Sequence, residues 1–114
     1  MQFVIQTRGV SLTESLRNYT EKRMGFALHR NAKHILRACV RLADINGSRG
    51  GVDKRCQIAL KLAGHNSIVI EDTEVDLYIA IDRASERCMR TLARHLERLH
   101  YNSHTRKAAL AQPS

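Results

Sequence analysis

The sequence is short of aromatic residues, paired cysteines, acidic charge and long apolar runs, and each shortage closes off a class of function. Aromatics make up 4% of the chain, namely Phe3, Phe26, Tyr19, Tyr78 and Tyr101. That is too few for a platform that stacks several splayed bases. The three cysteines, Cys39, Cys56 and Cys88, are odd in number, widely spaced and free of any CxxC pair, so neither a disulfide framework nor a structural zinc site is expected. No apolar stretch approaches the ~20 residues that cross a bilayer, and the N-terminus MQFVIQTRG lacks a secretory signal's apolar stretch and cleavage site. The expected location is therefore the cytoplasm, with no membrane partner. The six histidines form no HExxH and no Cys/His spacing typical of zinc, and nothing matches GxSxG, GxGxxG or a P-loop. No enzyme, no cofactor, no metal and no small-molecule substrate is expected.

What is abundant is basic charge. Nineteen Lys and Arg stand against eleven Asp and Glu, a formal net charge of +8 in 114 residues. Fourteen of the nineteen are Arg, whose planar fork binds phosphate bidentately. The excess suits a polyanion, and nucleic acid above others, held by its backbone rather than its bases. Hydrophobic residues at 43% and charged residues at 26% are near globular averages, and the length suits one compact domain.

Periodicity outlines that domain. Residues 2 to 8 alternate like a half-buried strand, and Gly9 ends it. Ser11 or Thr13 can cap a first helix over about 12 to 28, whose stripe is Leu12, Leu16, Thr20, Met24 and Ala27. A second strand over 34 to 44 sets Ala38, Val40 and Leu42 on one face and Arg37, Cys39 and Arg41 on the other. A glycine-rich reversal around Asn46 to Asp53 leads to strand three, about 54 to 63, with Cys56, Ile58, Leu60 and Leu62 inward. A turn at Gly64, His65 and Asn66 precedes a short strand, SIVIE, after which Asp72 or Thr73 is expected to cap a helix over about 74 to 99. The fold class is α+β: a two-layer β-α-β-β-β-α domain, with a four-stranded sheet and two helices packed on one face. The domain is placed at residues 1–100, with 101–114 as a flexible tail. A monomer is expected, with an exposed edge at strand one or three open to symmetric pairing.

The second helix carries the sharpest signal. At 100° per residue, Arg83, Arg87, Arg90, Arg94 and Arg98 fall in an arc of about 80°, roughly 130° from the apolar stripe of Leu77, Ile81, Ala84, Cys88, Leu92 and Leu99. Three of these pairs are like charges at i,i+4, each costing about 0.2 to 0.5 kcal/mol in an isolated helix. On the helix itself only Glu86 and Glu97 offset them. The pattern predicts an external anion that completes the pairing. Lys22, Arg23, His29, Arg30 and Lys33 extend the ridge if the two helices lie side by side. The alternative for both sets is a solvated face. Glu71, Asp72, Glu74 and Asp76 are expected at the start of helix two, where free N–H groups stabilise negative charge. The glycine loop is expected to be a hairpin tip touching RNA through backbone N–H groups, with Arg49, Lys54 and Arg55 nearby.

The segments MQFVIQTRGVSLTESLRNYTEKRM and VIEDTEVDLYIAIDRASERCMRTLARHLERL together resemble the ribosome hibernation-promoting factor family. That family is also called ribosome-associated translation inhibitor A or sigma factor modulation protein. The likeness spans about residues 1 to 100. Its most specific piece is Glu71-Asp72-Thr73 followed by Asp76-Leu77-Tyr78 and Ala80-Ile81-Asp82, similar to the family's acidic, tyrosine-containing lead-in to its last helix. The resemblance implies a β-α-β-β-β-α fold similar to double-stranded-RNA-binding domains. It also implies a stress or stationary-phase factor that binds ribosomal RNA of the small subunit in the mRNA and tRNA channel and inhibits translation. It carries RNA contact over to Lys22 and Arg23 of helix one and to Arg87, Arg90, Arg94 and Arg98 of helix two. The glycine-rich loop is longer and more basic than in many relatives, and a C-terminal dimerisation domain is lacking, so a short form is expected. The alternatives are a general double-stranded-RNA module not restricted to ribosomes, and a protein adaptor using the open sheet face with Gln6, Arg37, Cys39, Arg41 and Gln57.

Overall fold

The computed structural model describes residues 1–46, 51–64 and 66–111, with side chains of the last helix described to residue 98. The elements are β1 (Gln2–Arg8), α1 (Glu14–Leu28), β2 (Ile35–Asp44), β3 (Lys54–Leu62), β4 (Ser67–Glu74) and α2 (Leu77–Ala111), with a 3-10 turn at His29–His34. This is the expected β-α-β-β-β-α succession. The sheet order is β1-β2-β3-β4. β1 runs parallel to β2, while β2, β3 and β4 pair antiparallel. A parallel pair needs a crossover connection, and α1 provides it. Strand three is interior, so the edge expected at strand one or three is corrected to β1 and β4: β4 extends far enough to cover the outer side of β3.

The core lies between the sheet and one helical layer. Ala38, Val40 and Leu42 of β2 and Cys56, Ile58 and Leu60 of β3 are each at most 1% exposed. They meet Leu16 and Met24 of α1 and Ile81, Ala84, Cys88 and Leu92 of α2 in one cluster. Each fully buried large aliphatic contributes on the order of 1.5–3 kcal/mol. Thr20, in the middle of the apolar stripe, is buried because its hydroxyl donates to the Leu16 carbonyl at 2.8 Å, which satisfies it locally. Thr13 is the N-cap of α1, its Oγ1 accepting the Leu16 N–H at 3.1 Å.

Three boundaries depart from the periodicity. Register shifts between Ile35 and Arg37, so Leu36 is a bulge residue and both Leu36 and Arg37 face solvent. β4 does not stop after SIVIE but continues to Glu74, because Asp72 and Glu74 stay paired with Cys56 and Lys54 of β3. The acidic run is therefore strand rather than helix lead-in, and the cap expected at Asp72 or Thr73 is Asp76, whose Oδ1 accepts the Tyr78 N–H at 2.7 Å. At its other end α2 passes the expected stop near residue 99 and reaches Ala111; the run KAALA at 107–111 consists of strong helix formers.

The β3–β4 turn closes through Leu62 N–H to Asn66 O at 2.8 Å, with Gly64 at φ +88°, a conformation glycine adopts without a Cβ penalty. At the base of the β2–β3 connection Ile45 N–H donates to Asp53 O at 2.8 Å. Of the glycine loop from Gly47 to Gly51 that is expected to touch RNA, residues 47–50 lie outside the described residues, as does residue 65.

Candidate nucleic-acid interface

Where the arginines of α2 point follows from which residues face the other elements. The flank of α2 against α1 is made of Asp82, which meets Arg23 and Tyr19, and of Ser85, Glu86 and Met89, which line a groove with Arg23, Phe26 and Ala27. The arginine arc begins about 100° further round the helix from Met89, on the outer surface and the side toward β4. The helices do pack side by side, but the cations of α1 and α2 flank a groove rather than forming one continuous ridge.

Two of the five arginines for which an external anion is expected also have carboxylate neighbours within the chain. Arg83 Nε lies 3.7 Å from Glu74 Oε1, and Arg87 Nη1 lies 3.7 Å from Asp72 Oδ2. Arg87 also donates to the Glu71 carbonyl at 2.8 Å. Both carboxylates sit on the face of β4 that α2 covers, so the acidic strand neutralises the first turns of the basic flank. Asp72 and Glu74 share a hydrogen bond, which, with some desolvation and the nearby Asp72 charge, raises the Glu74 pKa against the lowering pull of Arg83. Arg90, Arg94 and Arg98 are exposed and have no ion-pair partner among the described residues; α2 runs antiparallel to β4, whose remaining inward residues, Ile70 and Ile68, carry no charge. The three arginines follow one another at a rise of about 6 Å. A shallow cavity of about 550 Å³ is lined by Arg87, Arg90, Thr91, Ala93 and Arg94.

On the first helix, Lys22 is exposed, as are Arg30 and Lys33 on the 3-10 turn, all without a partner among the described residues. Arg23 differs. Its Nε is 3.0 Å from Asp82 Oδ1 and its Nη2 is 4.0 Å from Glu86 Oε1, which ties α1 to α2. The Tyr19 hydroxyl donates to the same Asp82 oxygen, and that bond is the main cause of a raised Tyr19 pKa. Tyr19 meets Tyr78 edge-on, with centroids 4.9 Å apart. Asp82 and Glu86 are thus engaged across the helices, and Glu86 is not the counter-ion of the arginine arc that its place on α2 suggested.

Sequence reasoning passed over Phe26. It is 72% exposed on α1, one turn after Lys22 and one turn before Arg30, and shares the inter-helix groove with Met89, which is 37% exposed. Its signal was its angular position, clear of the stripe that buries Met24 and Ala27. Cys56 and Cys88 are fully buried, and burial pushes both thiols up to about 12, so neither offers a thiolate. Among the described residues no helix is long and apolar enough to cross a membrane, and no His, Cys, Asp and Glu group is arranged to hold a metal.

Residues 3–100 match the profile of the family described as Sigma 54 modulation protein / S30EA ribosomal protein. Among solved structures, the chain is similar to the crystal structure of the Thermus thermophilus Protein Y N-terminal domain, with 29% identity, 83% of this chain and 99% of that chain covered, and a TM-score of 0.69. It shares its fold with a ribosomal subunit interface protein from Coxiella burnetii, at 20% identity, 85% and 99% coverage and a TM-score of 0.70. No curated protein matches the sequence significantly.

Proposed function

The chain belongs to the Sigma 54 modulation protein / S30EA ribosomal protein family, and from that premise we propose that it is a ribosome hibernation factor. It binds ribosomal RNA of the small subunit in the mRNA and tRNA channel and inhibits translation in stress or stationary phase. Residues 1–100 are the binding unit. The observation that carries this reading is the contrast along α2. The fold pairs Arg83 and Arg87 with β4 carboxylates, yet leaves Arg90, Arg94 and Arg98 one turn further on without any partner among the described residues. Exposed like charges at i,i+4 cost stability in the free protein, and phosphates bound there remove that cost.

The inhibition is steric and is anchored by charge. Arg90, Arg94 and Arg98 hold phosphates from α2, and Lys22, Arg30 and Lys33 hold them from the other side of the inter-helix groove. Phe26 lies between the two sets and stacks on an unpaired base or ribose. Arg83 and Arg87 keep exposed guanidinium groups despite their ion pairs; such surface pairs are weak and yield to phosphate. Arg23 positions α1 against α2 rather than facing RNA. Displaced counterions make affinity fall steeply with salt, and the shape of the channel supplies the selectivity.

The test is co-sedimentation with purified small subunits at rising potassium chloride, for the parent chain and for Arg90→Ala/Arg94→Ala/Arg98→Ala. Parent binding that weakens with salt, and loss of binding by the folded triple variant, is the expected result. Retained binding by that variant refutes the assignment. Equal affinity of the parent for naked RNA duplex favours a general double-stranded-RNA module instead.

A further inference from the structure

The sheet face that the helices leave bare is a second cationic surface. Alternation and register place Arg8, Arg37, Arg41, Arg55 and Lys61 on it, with Glu71 as the sole carboxylate among its strand residues. Glu71 is engaged by Arg55, whose Nε lies 3.3 Å from Oε1. The other four cations have no carboxylate partner among the described residues.

Two details of this face are costly for the free protein. Arg37 of β2 stands directly opposite Lys61 of β3, and like charges in cross-strand register destabilise a sheet. Arg41 is held by two neutral acceptors from its two neighbouring strands: its Nε donates to Gln6 Oε1 at 3.0 Å, and its Nη1 to Gln57 Oε1 at 3.5 Å. A glutamate at either position would neutralise the charge. The glutamines orient the guanidinium and leave its charge and its remaining N–H donors available. Ordering the side chain in advance lowers the entropy cost of binding. Arg41 also joins two shallow cavities on this face, one of about 420 Å³ shared with Arg8 and Arg55, the other of about 270 Å³ shared with Arg37 and Lys61.

We infer that this face is a second phosphate-binding surface for RNA, so that the domain is gripped by nucleic acid on two opposite sides. The inference rests on the ribosomal reading above and deepens it, since an occupant touched on both sides must lie between RNA walls. Four of the five cations are arginine, the residue suited to bidentate phosphate contact. The face carries no aromatic anchor of the kind that dominates protein–protein contacts; between its charged rows lie only Val4, Cys39, Ala59 and Val69.

The experiment compares the parent chain with Arg37→Ala/Arg41→Ala/Lys61→Ala, whose fold is verified by circular dichroism and thermal midpoint. Each is titrated over a potassium chloride series against purified small subunits, a 20-base-pair RNA duplex and polyglutamate. The expected result is a weaker affinity for RNA and a salt slope of log K smaller by about 2 to 3, one contact being worth roughly 0.7 to 0.9. Arg37→Lys/Arg41→Lys keeps most of the slope while losing bidentate geometry. An unchanged slope on both RNA probes overturns the inference, as does polyglutamate bound more tightly than RNA. If the parent fails to bind subunits but binds duplex, the ribosomal reading falls and the duplex slope alone decides the sheet face; binding to neither RNA sinks both.

Discussion

Arg23 and Asp82 face each other across the two helices, Nε to Oδ1 at 3.0 Å, and the same carboxylate accepts the Tyr19 hydroxyl. One aspartate on α2 therefore fixes two side chains of α1, and the groove that holds Phe26 depends on that junction. Asp82→Asn is expected to lower stability by about 1 kcal/mol, the usual worth of a partly exposed charge-assisted contact. It also returns the Tyr19 pKa toward the ordinary tyrosine range. Urea unfolding and an ultraviolet titration of tyrosinate read the two effects separately. Because the folded-state value is raised, this contribution is present below the ordinary tyrosine range and is lost as pH climbs through the folded value.

Arg83→Ala/Arg87→Ala and Arg90→Ala/Arg94→Ala should separate stability from binding. The first pair leaves Asp72, whose side chain is only 12% exposed, without its guanidinium, so the thermal midpoint drops by a few degrees. The second pair removes no contact within the described residues and keeps the midpoint, surface changes of this kind falling within about 0.5 kcal/mol. In subunit binding the order reverses: the second pair loses about two units of salt slope and the first loses less.

Phe26→Ala should leave folding unaltered, since the ring is already in water. Subunit binding should weaken by about 1 to 3 kcal/mol, the range for removing one stacked base contact, with the salt slope unchanged because no charge is lost. Filter binding at two salt concentrations distinguishes this from the arginine variants.

Lys54 binds two carboxylates, Asp44 at 3.1 Å and the fully buried Asp53 at 2.9 Å, and hydrogen bonds first to Asp53 and then to Asp44 raise its pKa. The stabilisation is complete below the ordinary lysine range and disappears as pH rises through the higher folded value. Alkaline unfolding of the parent should therefore be shifted to lower pH in Lys54→Met, and that variant should be less stable at neutral pH, because Asp53 stays buried without its cation. A stability-against-pH series on both proteins measures this.

The thiols of Cys56 and Cys88, pushed up to about 12 by burial, should not react with Ellman's reagent at pH 8 while the protein is folded. Cys39, at 7% exposure, is the one that can be modified slowly. All three titrate after denaturation.

Much of the fold was legible in the chain itself. Period-two alternation identifies the inward residues of β2 and β3 down to Cys56 and Leu42, because a strand's side chains must alternate whatever lies around it. The apolar stripe of α2 and its arginine arc follow in the same way from 3.6 residues per turn. The bulge at Leu36 was not legible, since an extra residue in one strand is defined only by its partner. Nor was the length of β4: Asp72 reads as a helix cap and Glu74 as a first-turn acid, and pairing with β3 is what keeps them extended.

The sequence by itself determined the order of the elements, the faces that bury and the excess of cations, all set by local geometry and composition. Only the tertiary structure decided which cations are spoken for. Asp72 reaches Arg87 and Glu74 reaches Arg83 because α2 folds back antiparallel along β4, and the other inward residues of β4, Ile70 and Ile68, offer Arg90 no carboxylate. Ion pairing at a few ångströms depends on how a strand and the helix after it dock against each other, which no periodicity within either element encodes.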